Sequence, residues 1–194
     1  MNEFRALLDL LQMLVIDPRT GGLMLLLVIA GVSDVRLYKI PNWLTLGGTL
    51  FALTYGAFVP LEPHAGLGTA AAGLLLGFLL MLPLYGAGVM GAGDVKLMAM
   101  VGAFLGFPSI LFALIASFIV GGIGALFYAI SRRVLGRMLA NVRTALQLLA
   151  ASAVTGGRPL AHGAAFSSVG KLPYGVSIGA GTILYLVARQ LGYL

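Results

Sequence analysis

A chain of 194 residues that is 60% apolar and only 9% charged, with 28 glycines and no cysteine, reads as a protein that folds in lipid; disulfides, thiolate metal sites and a cysteine nucleophile are excluded. Two histidines make a multi-histidine metal site an unlooked-for feature, and neither metal nor cofactor is expected. The net charge of +6 comes from Lys and Arg scattered at the ends of apolar segments, which fits membrane topology and not nucleic-acid binding.

Residues 1–20 lack the basic start and small-residue cleavage site of a signal peptide. Leu7, Leu8, Leu11, Leu14 and Val15 share one helical face and Arg5, Asp9 and Gln12 another, so an interfacial helix is expected there. Apolar segments then predict spans at roughly 21–38, 43–60, 66–85, 94–107, 108–130 and 173–192. The fourth is short: 14 residues at 1.5 Å each reach about 21 Å, against a hydrocarbon core of roughly 30 Å. Between the fifth and sixth lies a basic connection, 131–172, in which Leu135, Leu139, Val142, Leu146 and Leu149 recur at helical spacing. It predicts an amphipathic helix on the cytoplasmic membrane surface. The expected architecture is all-α and polytopic, with about six transmembrane helices plus amphipathic interfacial helices in one membrane-embedded domain, 1–194.

Lys and Arg set the orientation. Arg36 and Lys39 follow the first span, Lys96 lies between the third and fourth, and Arg132, Arg133, Arg137, Arg143, Arg158 and Lys171 lie between the fifth and sixth. The connections at 59–68 and 105–109 contain neither residue. The positive-inside rule therefore places the three basic connections in the cytoplasm and the N-terminus outside, with Arg5 and Arg19 running against it.

Of six acidic residues, only Asp34 and Asp94 belong to the membrane core, and the topology puts both on the cytoplasmic side. SDVRL at 33–37 and GDVKL at 93–97 each carry a cation two positions after the Asp, which on a helix points away from the carboxylate. Asp34 stands at the unfavourable C-terminal end of its own span and Asp94 at the favourable start of its helix. Two carboxylates at a low-dielectric rim cannot both ionise easily, so one can take a proton from water while the other donates to a carbonyl oxygen. A purely structural alternative is that both cap helices or pair with neighbouring cations.

Gly91–Ala–Gly93–Asp94, followed by Val95, Lys96 and Leu97, resembles the GxGD signature of membrane-embedded aspartic proteases in the GxGDxKL form of type IV prepilin peptidases. Asp34, Arg36 and the Ile40–Pro41–Asn42 triplet are similar to that family's other aspartate region, and Leu172–Pro173–Tyr174–Gly175 to the element opening its last span. The resemblance runs from about 25 to 190 in family order. It implies Asp34 and Asp94 as the catalytic pair, pilin-like precursors as partners within the lipid bilayer, and removal of a short basic leader at the cytoplasmic face of the inner membrane. It says nothing of oligomeric state.

Gly91 and Gly93 are expected to use backbone conformations closed to other residues and to admit the substrate strand. Pro41 is expected to shape the turn beside Asp34, with Asn42 bonding the exposed backbone there. Arg36 and Lys96 read first as topology signals, Lys96 also as a salt-bridge partner for an Asp or a contact for an acidic substrate residue. Larger family members carry a four-cysteine element and N-methylate the new pilin terminus. With no cysteine and 33 residues before Asp34, this chain is expected to cleave without methylating, like the short enzymes of Tad-type (Flp) systems or archaeal-type relatives. A small proton-coupled transporter or channel using the same acids as a relay is the principal alternative, and a noncatalytic assembly component the third.

Overall fold

The computed structural model describes residues 17–58, 66–155 and 173–192. The N-terminal amphipathic pattern at 1–16 and the end of the basic connection at 156–172 lie outside the described residues. Helix α1 spans Pro18–Leu37, α2 Asn42–Phe58, α3 Gly66–Gly86, α4 Ala92–Leu105, α5 Ser109–Ser131, α6 Leu135–Thr155 and α7 Tyr174–Gln190. No strand occurs among the described residues. The protein is an all-α membrane protein whose helices α1 to α5 and α7 coincide with the predicted spans.

The first span begins earlier than its hydropathy suggests. Asp17 caps α1 by accepting from the N–H groups of Arg19 (3.2 Å) and Thr20 (3.3 Å), and Pro18 occupies the first turn, where a missing N–H costs nothing. Residues 18–20 thus belong to the same continuous helix as the first predicted span. Among the described residues three helices, α1, α3 and α5, are long and apolar enough to cross a membrane. By the same measure α2 and α7, at 17 residues, and α4, at 14, fall short, so three of the six expected spans reach that length among the described residues. Large apolar side chains such as Leu25, Leu46, Leu79, Ile119 and Phe127 face outward, an arrangement suited to lipid.

Helix α4 explains its own shortness. Every residue from Leu97 to Gly106 is buried, because α3, α2, α7, α5 and α1 all pack on it. A helix apolar all round belongs in a core, and one enclosed by other helices need not match the bilayer. Its tightest neighbour is α3: a Cβ built on Gly73 would run into the carbonyl oxygen of Gly102, and one on Gly102 into that of Gly73. Gly77, one turn along, faces the carbonyl of Met98, 2.6 Å from its would-be Cβ. This is the close backbone approach that small residues four apart permit in membranes.

Arg19 was one of the two residues, with Arg5, at odds with the charge pattern. It is 5% exposed, and its Nε donates to the carbonyl of Phe104 (2.7 Å) while Nη2 reaches that of Ala103 (3.4 Å). It therefore satisfies the last carbonyls of α4, groups left without intrahelical partners. Its charge serves packing at the end of the bundle remote from Asp94, which accounts for Arg19; Arg5 lies outside the described residues.

Helix α5 ends in a Schellman arrangement: the Val134 N–H donates to Ala129 O (2.9 Å), the Arg133 N–H to Ile130 O (3.0 Å), and Arg133 takes φ 54°. That left-handed position favours glycine, so Arg133→Gly should raise stability by about 1 kcal/mol, read as a higher midpoint of thermal unfolding in detergent. Helix α6 follows within the basic connection, with Leu139, Val142 and Arg143 exposed.

Candidate active site

Asp34 and Asp94 meet at one end of the bundle. Both are buried, at 6% and 8% exposure, while the cations two residues on, Arg36 and Lys96, are exposed, so each helix turns its Asp inward and its cation outward as the spacing predicts. The carboxylates are near enough to influence each other electrostatically, yet no hydrogen bond joins them among the described residues.

Each is held by one backbone amide. Asp94 Oδ2 accepts from the N–H of Gly91 (3.0 Å), reaching back from the third residue of α4 to its cap. Asp34 Oδ2 accepts from the N–H of Gly175 (2.7 Å), which belongs to the first turn of α7 and lies 141 residues away. The capping alternative and the chemical reading are thus compatible: both carboxylates satisfy helix N-termini through one oxygen. Among the described residues, neither Oδ1 accepts a hydrogen bond. Asp34 stands near the C-terminus of α1, as expected, and also faces the positive end of α7, which offsets the unfavourable end of its own helix.

The connection between α1 and α2 is built to reach this point. Tyr38 closes α1 at φ 50°, with its N–H on Asp34 O (2.9 Å), and Ser33 Oγ donates to Lys39 O (2.7 Å). Pro41 restricts Ile40 to extended conformations, and its carbonyl accepts from Leu44 (3.2 Å) and Thr45 (3.4 Å) to start α2. Ile40 is buried, 3.3 Å from the position of a Cβ on Gly93 and 3.0 Å from one on Gly175. Gly91 has an ordinary extended backbone (φ −81°), and the positive-φ glycines among the described residues are Gly88, Gly106 and Gly192. The expected special conformations at Gly91 and Gly93 are absent; Gly93 is needed for the close approach of Ile40.

Lys96 Nζ donates to Asn42 Oδ1 (2.9 Å), so the Asn42 side chain is engaged by a cation and not by the backbone, and among the described residues Lys96 does not bridge to an Asp. That bond ties the GxGDxK segment to the first turn of α2. Arg36 stands at the rim of an apolar cleft of about 420 Å³ between α1 and α7, beside Gly31, Val35 and Val176. Tyr174 is half-buried within electrostatic reach of Asp94 and lines a second cleft of about 280 Å³ with Met90, Phe118 and Gly121. Sequence reasoning missed the contacts of Gly175, Ile40 and Arg19. Only Arg19 left a local signal, the helix-start pattern Asp17–Pro18 beside it. Among the described residues no group of three or more His, Cys, Asp or Glu gathers.

A bundle of lipid-facing helices that buries two amide-held carboxylates at one end defines a membrane-embedded protein with a diaspartyl site. Residues 22–126 match the model of the type IV leader peptidase family, and the chain belongs to that family. It is similar to the prepilin leader peptidase/N-methyltransferase of Aeromonas salmonicida (strain A449), 36% identical over 134 residues covering 61% of this chain and 44% of that protein. A protein of the same name from Bacillus subtilis (strain 168) is 34% identical over 99 residues, covering 50% of this chain and 39% of the relative. The chain thus spans less than half the length of these curated relatives. No solved structure matches it.

Proposed function

We propose that this protein is a membrane-embedded aspartic endopeptidase that removes the short leader from type IV pilin-like precursors of the Flp/Tad kind at the cytoplasmic face of the inner membrane. The observation that carries the reading is the convergence of Asp34 and Asp94, each with Oδ2 tied to a backbone amide and, among the described residues, Oδ1 free of such a bond. With one proton between them, the charged carboxylate takes a proton from water as its oxygen attacks the scissile carbonyl carbon, and the protonated one donates to the carbonyl oxygen. Collapse of the tetrahedral intermediate breaks the C–N bond, and the proton taken from water goes to the leaving amine. The family of the chain supports leader removal, and the basic residues Arg36, Lys39 and Lys96 at the same end support a cytoplasmic site. The reaction is proposed without N-methylation, since the four-cysteine element of the larger family members has no counterpart in a sequence without cysteine.

The test is incubation of membranes containing this protein with a pilin precursor of the Flp type, followed by intact mass. Loss of the leader with an unmodified new N-terminus is expected. No cleavage of several precursors by folded protein would shift the reading to a proton-coupled transporter, which would also be recognised by acidification of protein-loaded vesicles.

A further inference from the structure

Gly175 is the second residue of α7, so its N–H has no acceptor within the helix. It donates to Asp34 Oδ2 at 2.7 Å, and the same spot tolerates no side chain: a Cβ at 175 would stand 2.8 Å from Oδ2, 3.2 Å from Asp34 Cβ and 3.0 Å from Ile40 Cδ1. The crowding is local to that turn. At Gly179, one turn further along α7, a Cβ would find nothing nearer than Leu27 O at 3.5 Å, an ordinary contact. Ile40, which fills the space beside Gly175, also fills the space beside Gly93 on the segment carrying Asp94.

We propose that Gly175 is a positioning residue for the aspartate pair: its amide fixes one oxygen of Asp34, its missing side chain lets α7 seat against the carboxylate, and Ile40 serves as the spacer between this contact and the Asp94 segment. The inference rests on the peptidase reading. Asp34 is thus carried by α1 but aimed by α7. Alanine at 175 retains the N–H and must push either the carboxylate or the helix away, and displacement of a reacting group by about 1 Å costs on the order of 10²-fold in rate.

The experiment measures kcat and KM for leader removal by the full chain in detergent, comparing wild type with G175A, G179A, I40V and I40V/G175A. Expected are a drop of about 10²-fold in kcat for G175A with KM within about threefold, and G179A close to wild type. Ile40→Val deletes Cδ1 and so relieves one of the two crowded contacts, leaving the one on Asp34. I40V/G175A should therefore remain as impaired relative to I40V as G175A is relative to wild type. Recovery of the double variant would make Gly175 a packing site against Ile40 and overturn the proposal, as would a G175A enzyme with wild-type kcat. Where G175A accumulates poorly, thermal unfolding decides: Asp34→Ala should restore part of the melting temperature lost in G175A, and additive losses would overturn the contact. Failure of wild type to cleave any precursor overturns the peptidase reading instead, a result distinct from cleavage that ignores Gly175.

Discussion

Asp34→Asn and Asp94→Asn should each lower leader removal by about 10³–10⁴-fold while leaving the protein folded. Asparagine keeps an oxygen in the position of Oδ2, so the amides of Gly175 and Gly91 retain an acceptor and the local helix starts survive. What it loses is the ability to exchange a proton with water or with the scissile carbonyl. Because the two carboxylates act as a unit, the double variant should be little worse than either single one, a non-additivity that distinguishes a shared catalytic step from two independent supports. Gel shift of the precursor together with the melting temperature of each variant checks both halves. Cleavage that survives either substitution would remove that Asp from the chemistry.

Gly102→Ala should be among the most destabilising single changes, by about 3 kcal/mol, with Gly73→Ala close behind. At this crossing the obstacle to a new methyl group is a carbonyl oxygen of the facing helix, and backbone cannot turn aside as a flexible side chain can. Relief requires α3 and α4 to separate, which breaks contacts along a helix that is buried throughout from Leu97 to its end. Gly122 and Gly124 in α5 provide the contrast: a Cβ at either meets nothing within 4 Å. Alanine there should leave the melting temperature unchanged or raise it, since glycine in an open helix interior costs about 1 kcal/mol relative to alanine. Equal losses at Gly102 and Gly124 in thermal unfolding would contradict the crossing geometry.

The helices were legible because lipid rewards uninterrupted apolar runs, and predicted and observed bounds differ by no more than three residues at either end. The convergence of Asp34 and Asp94 was legible from orientation alone: alternating spans bring both to one side. What charge counting obscured was Arg19, since a buried cation and a loop cation look the same in a sequence. The enclosed position of α4 was also hidden, because a core helix and a lipid-facing helix are equally apolar. The Gly175 contact with Asp34 joins residues 141 apart, and no periodicity or spacing records such a pairing. The reasons for Gly93 and Asn42 were misassigned for a similar cause: glycine leaves open whether it supplies an unusual torsion or a vacant volume, and the partner that decides, Ile40 or Lys96, lies on another segment.

The enclosure of α4 bears on how the protein meets membranes of different thickness. Helices that touch acyl chains answer a thicker or thinner bilayer by tilting. Helix α4 presents no such surface between Leu97 and Gly106; its far carbonyls are clasped by Arg19 and its near end is stitched to α2 through Lys96 and Asn42. The height of Asp94 is accordingly set by protein-to-protein contacts, and the outer helices act as a gimbal that absorbs changes in the lipid around it.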